Sequence, residues 1–249
     1  MISIITASFN NASTLSQTID SLLSQSFKDI EYLIIDGFST DGTKEIITSY
    51  SSKISKFVSE KDSGIYDALN KGIALSTGDI IGFLHADDTY ANPEILEKVS
   101  AAFEQSPDTW AVYGDLQFVS QNDTSKVIRR WKSKPFQKSL LAKGWMPPHP
   151  TLFLRREVYE KYGCFDTSYR IAADYDFILR VFSQPLFSAV YIPEVFINMR
   201  MGGASTGNLK NLLQKSKEDY LILKRNKTGN IFTLFRKVIS KLSQYYKKS

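Results

Sequence analysis

Along the first hundred residues, apolar and polar positions fall into blocks whose period switches repeatedly. Ile2–Phe9 is a nearly unbroken apolar, β-branched run; Tyr32–Ile35 and Asp79–Leu84 repeat the pattern. Such runs, lacking polar alternation, predict strands buried on both faces. Between them the spacing lengthens: Leu15, Ile19, Leu22 and Leu23 predict a helix over 13–24. Further helices are expected over 43–50, over 64–75 and from Pro93 to Phe103, with a short strand at Lys56–Ser59. This βαβα order predicts an α/β fold with a mostly parallel sheet covered on both faces. Ligands of such sheets gather at the carboxyl ends of the strands. The polar clusters Ser8–Asn11, Asp36–Asp41 and His85–Thr89 lie there.

The second half is patterned differently. Trp110–Phe118 and Lys126–Trp131 read as strands of mixed orientation, and a loop rich in Pro and Trp follows at Gly144–Pro150. Helices are expected over Arg155–Tyr162 and Asp174–Phe182, and a strand over Ala189–Ile192. The stretch 202–207 is flexible by composition, and helices over 209–224 and 231–246 close the chain.

Length and composition narrow the class. The 249 residues suffice for one α/β domain with a full core, and 43% hydrophobic with 23% charged residues is ordinary for a soluble protein. The single cysteine, Cys164, excludes a disulfide framework and suits a reducing compartment. The N-terminus has no basic n-region or cleavage site, and no apolar run approaches the ~18–20 residues of a membrane span. The expected location is the cytoplasm. Net charge is +5, yet Lys224–Ser249 holds eight Lys/Arg and no Asp/Glu, leaving 23 basic against 26 acidic residues elsewhere. The basicity therefore belongs to the tail and calls for an anionic surface.

The candidate chemistry centres on acidic residues. Asp87-Asp88 follows an apolar strand, where adjacent carboxylates repel one another unless a cation neutralises them. Their oxygens suit Mg2+ or Mn2+, with substrate phosphates completing the shell; the same dipeptide also suits a helix N-cap. Asp174 and Asp176 open a later helix pattern, where an aspartate serves as a general base or as a cap. Asp176 is also placed to pair with Arg180 at i+4.

Four ordered motifs extend this reading: Thr6–Asn10, Asp36–Thr43, Glu60–Gly72 and His85–Asp88. Together they resemble the family 2 glycosyltransferases of the GT-A fold, most closely bacterial enzymes that build surface polysaccharides. The resemblance runs from Met1 to about Gly207. It implies a catalytic domain over 1–207, with a nucleotide-binding half (1–104) and an acceptor-binding half (105–207), then a helical basic tail over 208–249. It also implies an inverting transfer from a nucleotide sugar, UDP-linked by family habit, to a glycan or lipid-linked acceptor. Thr6, Phe9 and Asn10 would line the nucleotide pocket. Asp36 would accept hydrogen bonds from base or ribose, with Ser39 beside it. Asp62 would contact the base edge, and Lys71 the ribose or phosphates. Asp87 would bind on the ribose side and Asp88 would hold the Mn2+ or Mg2+ that bridges the two phosphates. Asp174 would be the base that deprotonates the acceptor hydroxyl.

Two positions depart from the family pattern. His85 stands where Asp or Asn is frequent, and Ala173 stands where Glu precedes the catalytic Asp. His149 falls near the expected acceptor or diphosphate, a place that a structural histidine also fills. Arg200 precedes the glycine-rich stretch, which reads equally as a lid over diphosphate or as a linker. Asp36 and Asp41 also fit ordinary turn chemistry, and Lys71 a solvated helix face.

In the tail, Ile231, Phe232, Leu234, Phe235, Val238 and Ile239 interleave with Arg236, Lys237 and Lys241. This amphipathic basic helix suits the interface of an anionic membrane, which would make the protein peripheral on the inner face of the plasma membrane. A helix docked on the domain is the other reading.

Rival classes fit less well. A sugar nucleotidyltransferase needs a glycine-rich basic loop after the first strand, and Ser8–Ala12 contains no Gly, Lys or Arg. A dehydrogenase needs Gly-x-Gly-x-x-Gly there. A non-enzymatic carbohydrate-binding protein has no use for paired aspartates plus a distant third. Nucleic acid is not an expected partner, because it leaves the acidic motifs unexplained.

Overall fold

The N-terminal apolar run becomes the central strand β1 (Ile2–Ser8), buried at every residue. A computed structural model describes residues 1–202 and 209–246, with side chains at 209, 210 and 241–246 left out of the description. Strands β2 (Ile30–Asp36) and β4 (Ile80–Phe83) flank β1 in parallel, with Ile2 opposite both Ile30 and Ile80, and β3 (Lys56–Ser59) extends the parallel half beyond β2. Successive residues point to opposite faces. Ile5, Leu33, Ile35, Ile81 and Phe83 therefore join one core, and Ile2, Ile4, Tyr32, Ile34 and Ile80 the other.

Helices cover both faces. Helix α1 (Leu15–Leu23) buries Leu15, Ile19 and Leu22 in the second core, and α4 (Ile95–Gln105) adds Ile95, Leu96, Val99 and Phe103 there. On the other face α3 (Ile65–Leu75) brings Ala68, Leu69 and Ile73. It sits directly on β1 because Gly72 has no Cβ to collide with Ile5. Helix α2 (Thr43–Ser49) is a short connector between β2 and β3. Pro93 lies just outside α4, in a turn where its carbonyl accepts the Ser26 N–H at 2.7 Å.

The second half continues the same sheet with mixed pairings: beyond β4 come β8 (Phe153–Arg155), β6 (Ala111–Val119), β9 (Ala189–Arg200) and β5 (Thr89–Tyr90), antiparallel to their neighbours except for β6 with β9, which run parallel. The expected strands are β6 (Ala111–Val119) and β7 (Val127–Trp131). The three-residue strand β8 (Phe153–Arg155) slips between β4 and β6, antiparallel to both. It is too short to leave a periodic signal. Strand β9 runs from Ala189 through Arg200, well past the expected stop at Ile192. Pro193 reads as a strand breaker, but it falls where the register with β6 shifts between Tyr113 and Asp115, and an irregular ladder spares the missing N–H. The polar turn after β4 also contains a two-residue strand, β5 (Thr89–Tyr90), paired with Ile197 and Asn198 of β9.

Helices α5 (Arg156–Tyr162) and α6 (Ala173–Phe182) pack below this half, α6 burying eight of its ten residues. Helix α7 (Leu209–Arg225) lies on α6, and α8 (Ile231–Tyr246) lies on α7 and on the turn at Gly144. Lys237 of α8 forms a buried 2.8 Å ion pair with Asp219 of α7. Among the described residues, no helix is long and apolar enough to cross a membrane.

Candidate active site

A cavity of about 620 Å3 opens where the carboxyl ends of β1 and β4 face α6, α7 and α8. Its wall collects residues far apart in sequence: Phe9, Asp62, Asp87, His149, Asp174 and Arg200. Thr6, Asn10, Asp36, Ser39, Lys71 and Asp88 are outside its lining.

Internal bonding explains that division. Thr6 is fully buried, its hydroxyl donating to Leu84 O at 2.7 Å and lying 3.1 Å from Tyr32 Oη. Asp36 is also fully buried; it accepts Ser39 N at 3.0 Å and Ser59 Oγ at 2.6 Å, as well as Ser39 Oγ. Asn10 takes the left-handed conformation (φ 54), which asparagine tolerates better than most residues. Its N–H donates to Ser39 Oγ at 2.8 Å and its Oδ1 accepts Thr40 N at 3.0 Å, so the loops after β1 and β2 are laced together. Phe9 is left projecting, 62% exposed.

Gly37 sets the distance between the two loops that reach the cavity. A Cβ there would lie 2.6 Å from Asp62 Oδ2 and 3.2 Å from Phe9. The Asp-Gly step thus lets Asp62 and Phe9 converge. Asp62 also accepts Gly64 N at 2.9 Å. Lys71, on the outer side of α3, pairs with Glu60 at 2.9 Å and Asp67 at 3.4 Å and donates to Lys61 O. Those bonds, Glu60 foremost, push its pKa up and bind it to its own loop.

Asp87 faces the cavity and Asp88 turns inward. Asp88 Oδ1 accepts the Arg200 N–H at 3.3 Å, whereas its Oδ2 is buried without a hydrogen-bond partner. Burial, with Asp87 beside it, pushes the Asp88 carboxyl well above its ordinary range. Arg200 locks this loop to β9: its Nε donates to Asp87 O at 2.9 Å, its Nη1 to Gln121 O at 3.1 Å, and its Nη2 to Gln17 Oε1. Among the described residues, no group of three or more His, Cys, Asp or Glu side chains is disposed to hold a metal ion. A cavity-facing carboxylate with an orphaned carboxylate oxygen next to it does fit a hard dication that draws its remaining ligands from a substrate diphosphate.

Opposite stands Asp174, second residue of α6, whose Oδ1 lies 3.1 Å from Tyr66 Oη. Burial favours its neutral form, but the charges of His149 (wherever that ring is protonated), Lys215 and Lys237, with the Tyr66 hydroxyl, hold the carboxyl below its ordinary pKa. It is an ionised acceptor at neutral pH. The neighbouring Asp176 is committed elsewhere, accepting Asn226 Nδ2 at 3.0 Å and pairing with Arg180 at 3.4 Å. His149 packs against Phe83 and Phe165, and its ring centroid is 6.2 Å from that of His85. Burial pulls its pKa down to about 4 against the pull of Asp174, so it is a neutral imidazole. Burial likewise lowers His85. His85 Nδ1 and His149 Nε2 are both buried without a hydrogen-bond partner.

Residues 203–208, which carry most of the glycine-rich stretch, lie outside the described residues. Sequence reasoning assigned no role to Tyr66, although it stands in the 60–72 motif, nor to the wall that α7 contributes through Asn211, Lys215 and Asp219. Only folding brings that wall to the cavity.

A parallel βαβ half thus presents its loops across one cavity to an aspartate-bearing helix. The chain belongs to glycosyl transferase family 2, whose model matches residues 3–163. It is 32% identical over 209 residues to a PGL/p-HBAD biosynthesis glycosyltransferase of Mycobacterium bovis (strain BCG / Pasteur 1173P2), covering 82% of this chain and 79% of the relative. An uncharacterized glycosyltransferase of Mycobacterium tuberculosis (strain CDC 1551 / Oshkosh) is 33% identical over 184 residues, covering 72% and 68%. Among solved structures, S. aureus TarS 1-349 in complex with UDP-GlcNAc matches with a TM-score of 0.65 at 14% identity, over 90% of this chain and 65% of that one. The chain spans 39% of a longer TarS chain. The mannosyltransferase PcManGT from Pyrobaculum calidifontis, in complex with GDP-Man and Mn2+, matches with a TM-score of 0.65 at 16% identity, over 100% and 76%. The enzyme class is thus glycosyltransferase, and the GT-A architecture expected from the motifs is the one shared with these structures.

Proposed function

We propose that the protein transfers a sugar, with inversion, from a nucleotide sugar to a hydroxyl of a glycan or lipid-linked acceptor during assembly of a cell-envelope polysaccharide or glycolipid. The observation that carries this reading is that Asp87 and Asp174 share one cavity. A UDP-sugar is the donor we favour, in keeping with the UDP-GlcNAc complex of TarS; the GDP-Man bound by PcManGT makes a guanine donor the arm to compare.

Each residue then has a task. Phe9 and Asp62 meet the base and ribose, while Thr6, Asn10, Asp36 and Ser39 build the turns that present them, and Lys71 steadies the 60–67 loop. Asp87 and Asp88 would hold Mn2+ or Mg2+, which supplies charge neutralisation at the departing diphosphate when bound. Arg200 keeps that loop in place. Asp174 takes the proton of the acceptor hydroxyl as its oxygen bonds to the anomeric carbon; the bond from that carbon to the diphosphate breaks, and nucleoside diphosphate leaves. His149, neutral and with Nε2 unspent, accepts or donates one hydrogen bond to acceptor or diphosphate. The apolar part of the wall, with Phe118, Trp131, Met146, Met199 and Met201, suits the non-sugar part of a lipid-linked acceptor.

Membrane association belongs to the same reading. Helix α8 docks through Thr233 and Lys237 and turns Ile231, Phe232, Phe235, Val238 and Ile239 outward, all at least 46% exposed. This apolar face with nearby basic residues suits the anionic inner surface of the plasma membrane. The test is incubation with UDP-, GDP- and dTDP-sugars with and without Mn2+. Metal-dependent release of nucleoside diphosphate, stimulated by acceptor, is expected, and pyrophosphate-dependent formation of nucleoside triphosphate would overturn the reading.

A further inference from the structure

The N-terminus of α6 is capped in an unusual way. Its N-cap residue, Ala172, has no polar side chain, and no side-chain cap comes from within the segment. Backbone N–H groups buried on the way into a helix need an acceptor, and here they are those of Arg170, Ile171 and the N-cap Ala172. Here one arrives from α7: the Glu218 carboxylate accepts Arg170 N at 3.1 Å on Oε1, and Ile171 N and Ala172 N at 2.9 Å each on Oε2. Three consecutive amides thus form a concave anion seat, and the anion filling it is a side chain of the protein itself. Gln214, one turn earlier on α7, donates Nε2 to Glu218 Oε1 at 3.0 Å, and Glu218 is only 6% exposed.

The clamped peptide leads directly to the catalytic aspartate. Asp174 lies two residues beyond Ala172, so its direction follows that of the first turn of α6. From the other side, Tyr66 of α3 places its hydroxyl 2.9 Å from Ile171 O and 3.1 Å from Asp174 Oδ1. The segment is therefore gripped through its N–H groups by α7 and through a carbonyl by α3. Both grips come from elements remote in sequence, and Glu218 lies beyond the residues matched by the family model.

We infer that Glu218 is a positioning residue for the transfer reaction: it clamps the 170–172 peptide and so aims the Asp174 carboxylate at the acceptor hydroxyl. This rests on Asp174 acting as the base. The clamp touches no substrate, so its loss acts on turnover and spares the donor side.

The experiment compares the full-length wild type with Glu218→Gln, Glu218→Ala, Asp174→Asn and the Asp174→Asn/Glu218→Ala double variant. Turnover, nucleoside diphosphate affinity with Mn2+ by calorimetry, and hydrogen exchange over 170–172 are measured for each. Misaiming a reacting group costs up to about 100-fold, so Glu218→Ala should lose roughly that in kcat with donor affinity unchanged. Glu218→Gln, with one accepting oxygen left, should fall between it and wild type. In the Asp174→Asn background, Glu218→Ala should remove nothing further, because coupled residues are non-additive. Exchange over 170–172 should quicken in both Glu218 variants. A folded Glu218→Gln protein with wild-type kcat, a parallel fall in donor affinity, or a full additional loss in the double variant overturns the inference. Unchanged exchange in Glu218→Gln overturns the clamp even if Glu218→Ala fails to fold. A wild type that turns over no donor sinks the parent reading instead, and exchange still decides the clamp.

Discussion

The loops after β1 and β2 and the centre of the cavity are both rich in polar side chains, yet they treat them in opposite ways. In the loops, the carboxylates and the asparagine are spent within the protein: Asp36 accepts from Ser39 and Ser59, Asp41 from Ala12 and Thr43, and Asn10 bridges to Ser39 and Thr40. At the cavity wall, His85 Nδ1, His149 Nε2 and Tyr175 Oη are buried with no hydrogen-bond partner, and behind it so is Asp88 Oδ2. Burying such groups unpaired is costly. Three of the four belong to residues that line the cavity. The carboxylates of the loops are saturated, and those buried groups are not.

The sharpest break of that contrast is at Asp174, the base we propose. Asp174→Asn should lower turnover by about 10²–10⁴-fold, the usual worth of general base catalysis, and leave donor affinity intact; near-normal turnover in a coupled assay would move the role elsewhere. Next is Asp88→Ala, which removes the orphaned oxygen. It should abolish the gain in nucleotide affinity that Mn2+ confers, and an unaltered calorimetric difference with and without Mn2+ would take Asp88 out of metal binding.

A paired comparison separates builder from binder directly. Asp36→Asn turns an amide toward donors that need acceptors and should destabilise the protein by roughly 1–3 kcal/mol, seen in the denaturant midpoint. Asp62→Asn should leave that midpoint unchanged and weaken nucleoside diphosphate binding about tenfold, roughly 1.4 kcal/mol. The reverse outcome, affinity lost at Asp36 and stability lost at Asp62, would dissolve the distinction.

The smallest effect lies away from the cavity. The Ser168 hydroxyl first, then Arg225, hold the Asp166 carboxyl at about 2, below its ordinary 3.8. A folded pKa below the unfolded one stabilises above the unfolded value and is lost as pH falls through the folded value. The stability gap between wild type and Asp166→Asn should therefore be full above about pH 4 and close toward pH 2. Urea midpoints across that window read it, and a constant gap would contradict the assignment.

The parallel half of the fold is legible in the chain because strands covered on both faces need continuous apolar runs, which Ile2–Ser8 and Ile30–Asp36 provide. The acidic motifs are legible for a related reason: loops at strand ends have few apolar duties, so their chemistry stands out. A three-residue strand such as Phe153–Arg155 offers no period to detect, and Pro193 disguises a strand that tolerates it only because the register shifts beside it.

Residue type and order alone determined which aspartates were candidates and that strands and helices would alternate around them. Tertiary structure decided which candidates meet: it spent Asp36 in a turn, committed Asp176 to Arg180, and set Asp174 across a cavity from Asp87. It also brought Glu218 to the start of α6 from 46–48 residues away. The physical reason is that a hydrogen bond is a property of two partners, and a sequence displays each donor and acceptor without the one that will satisfy it.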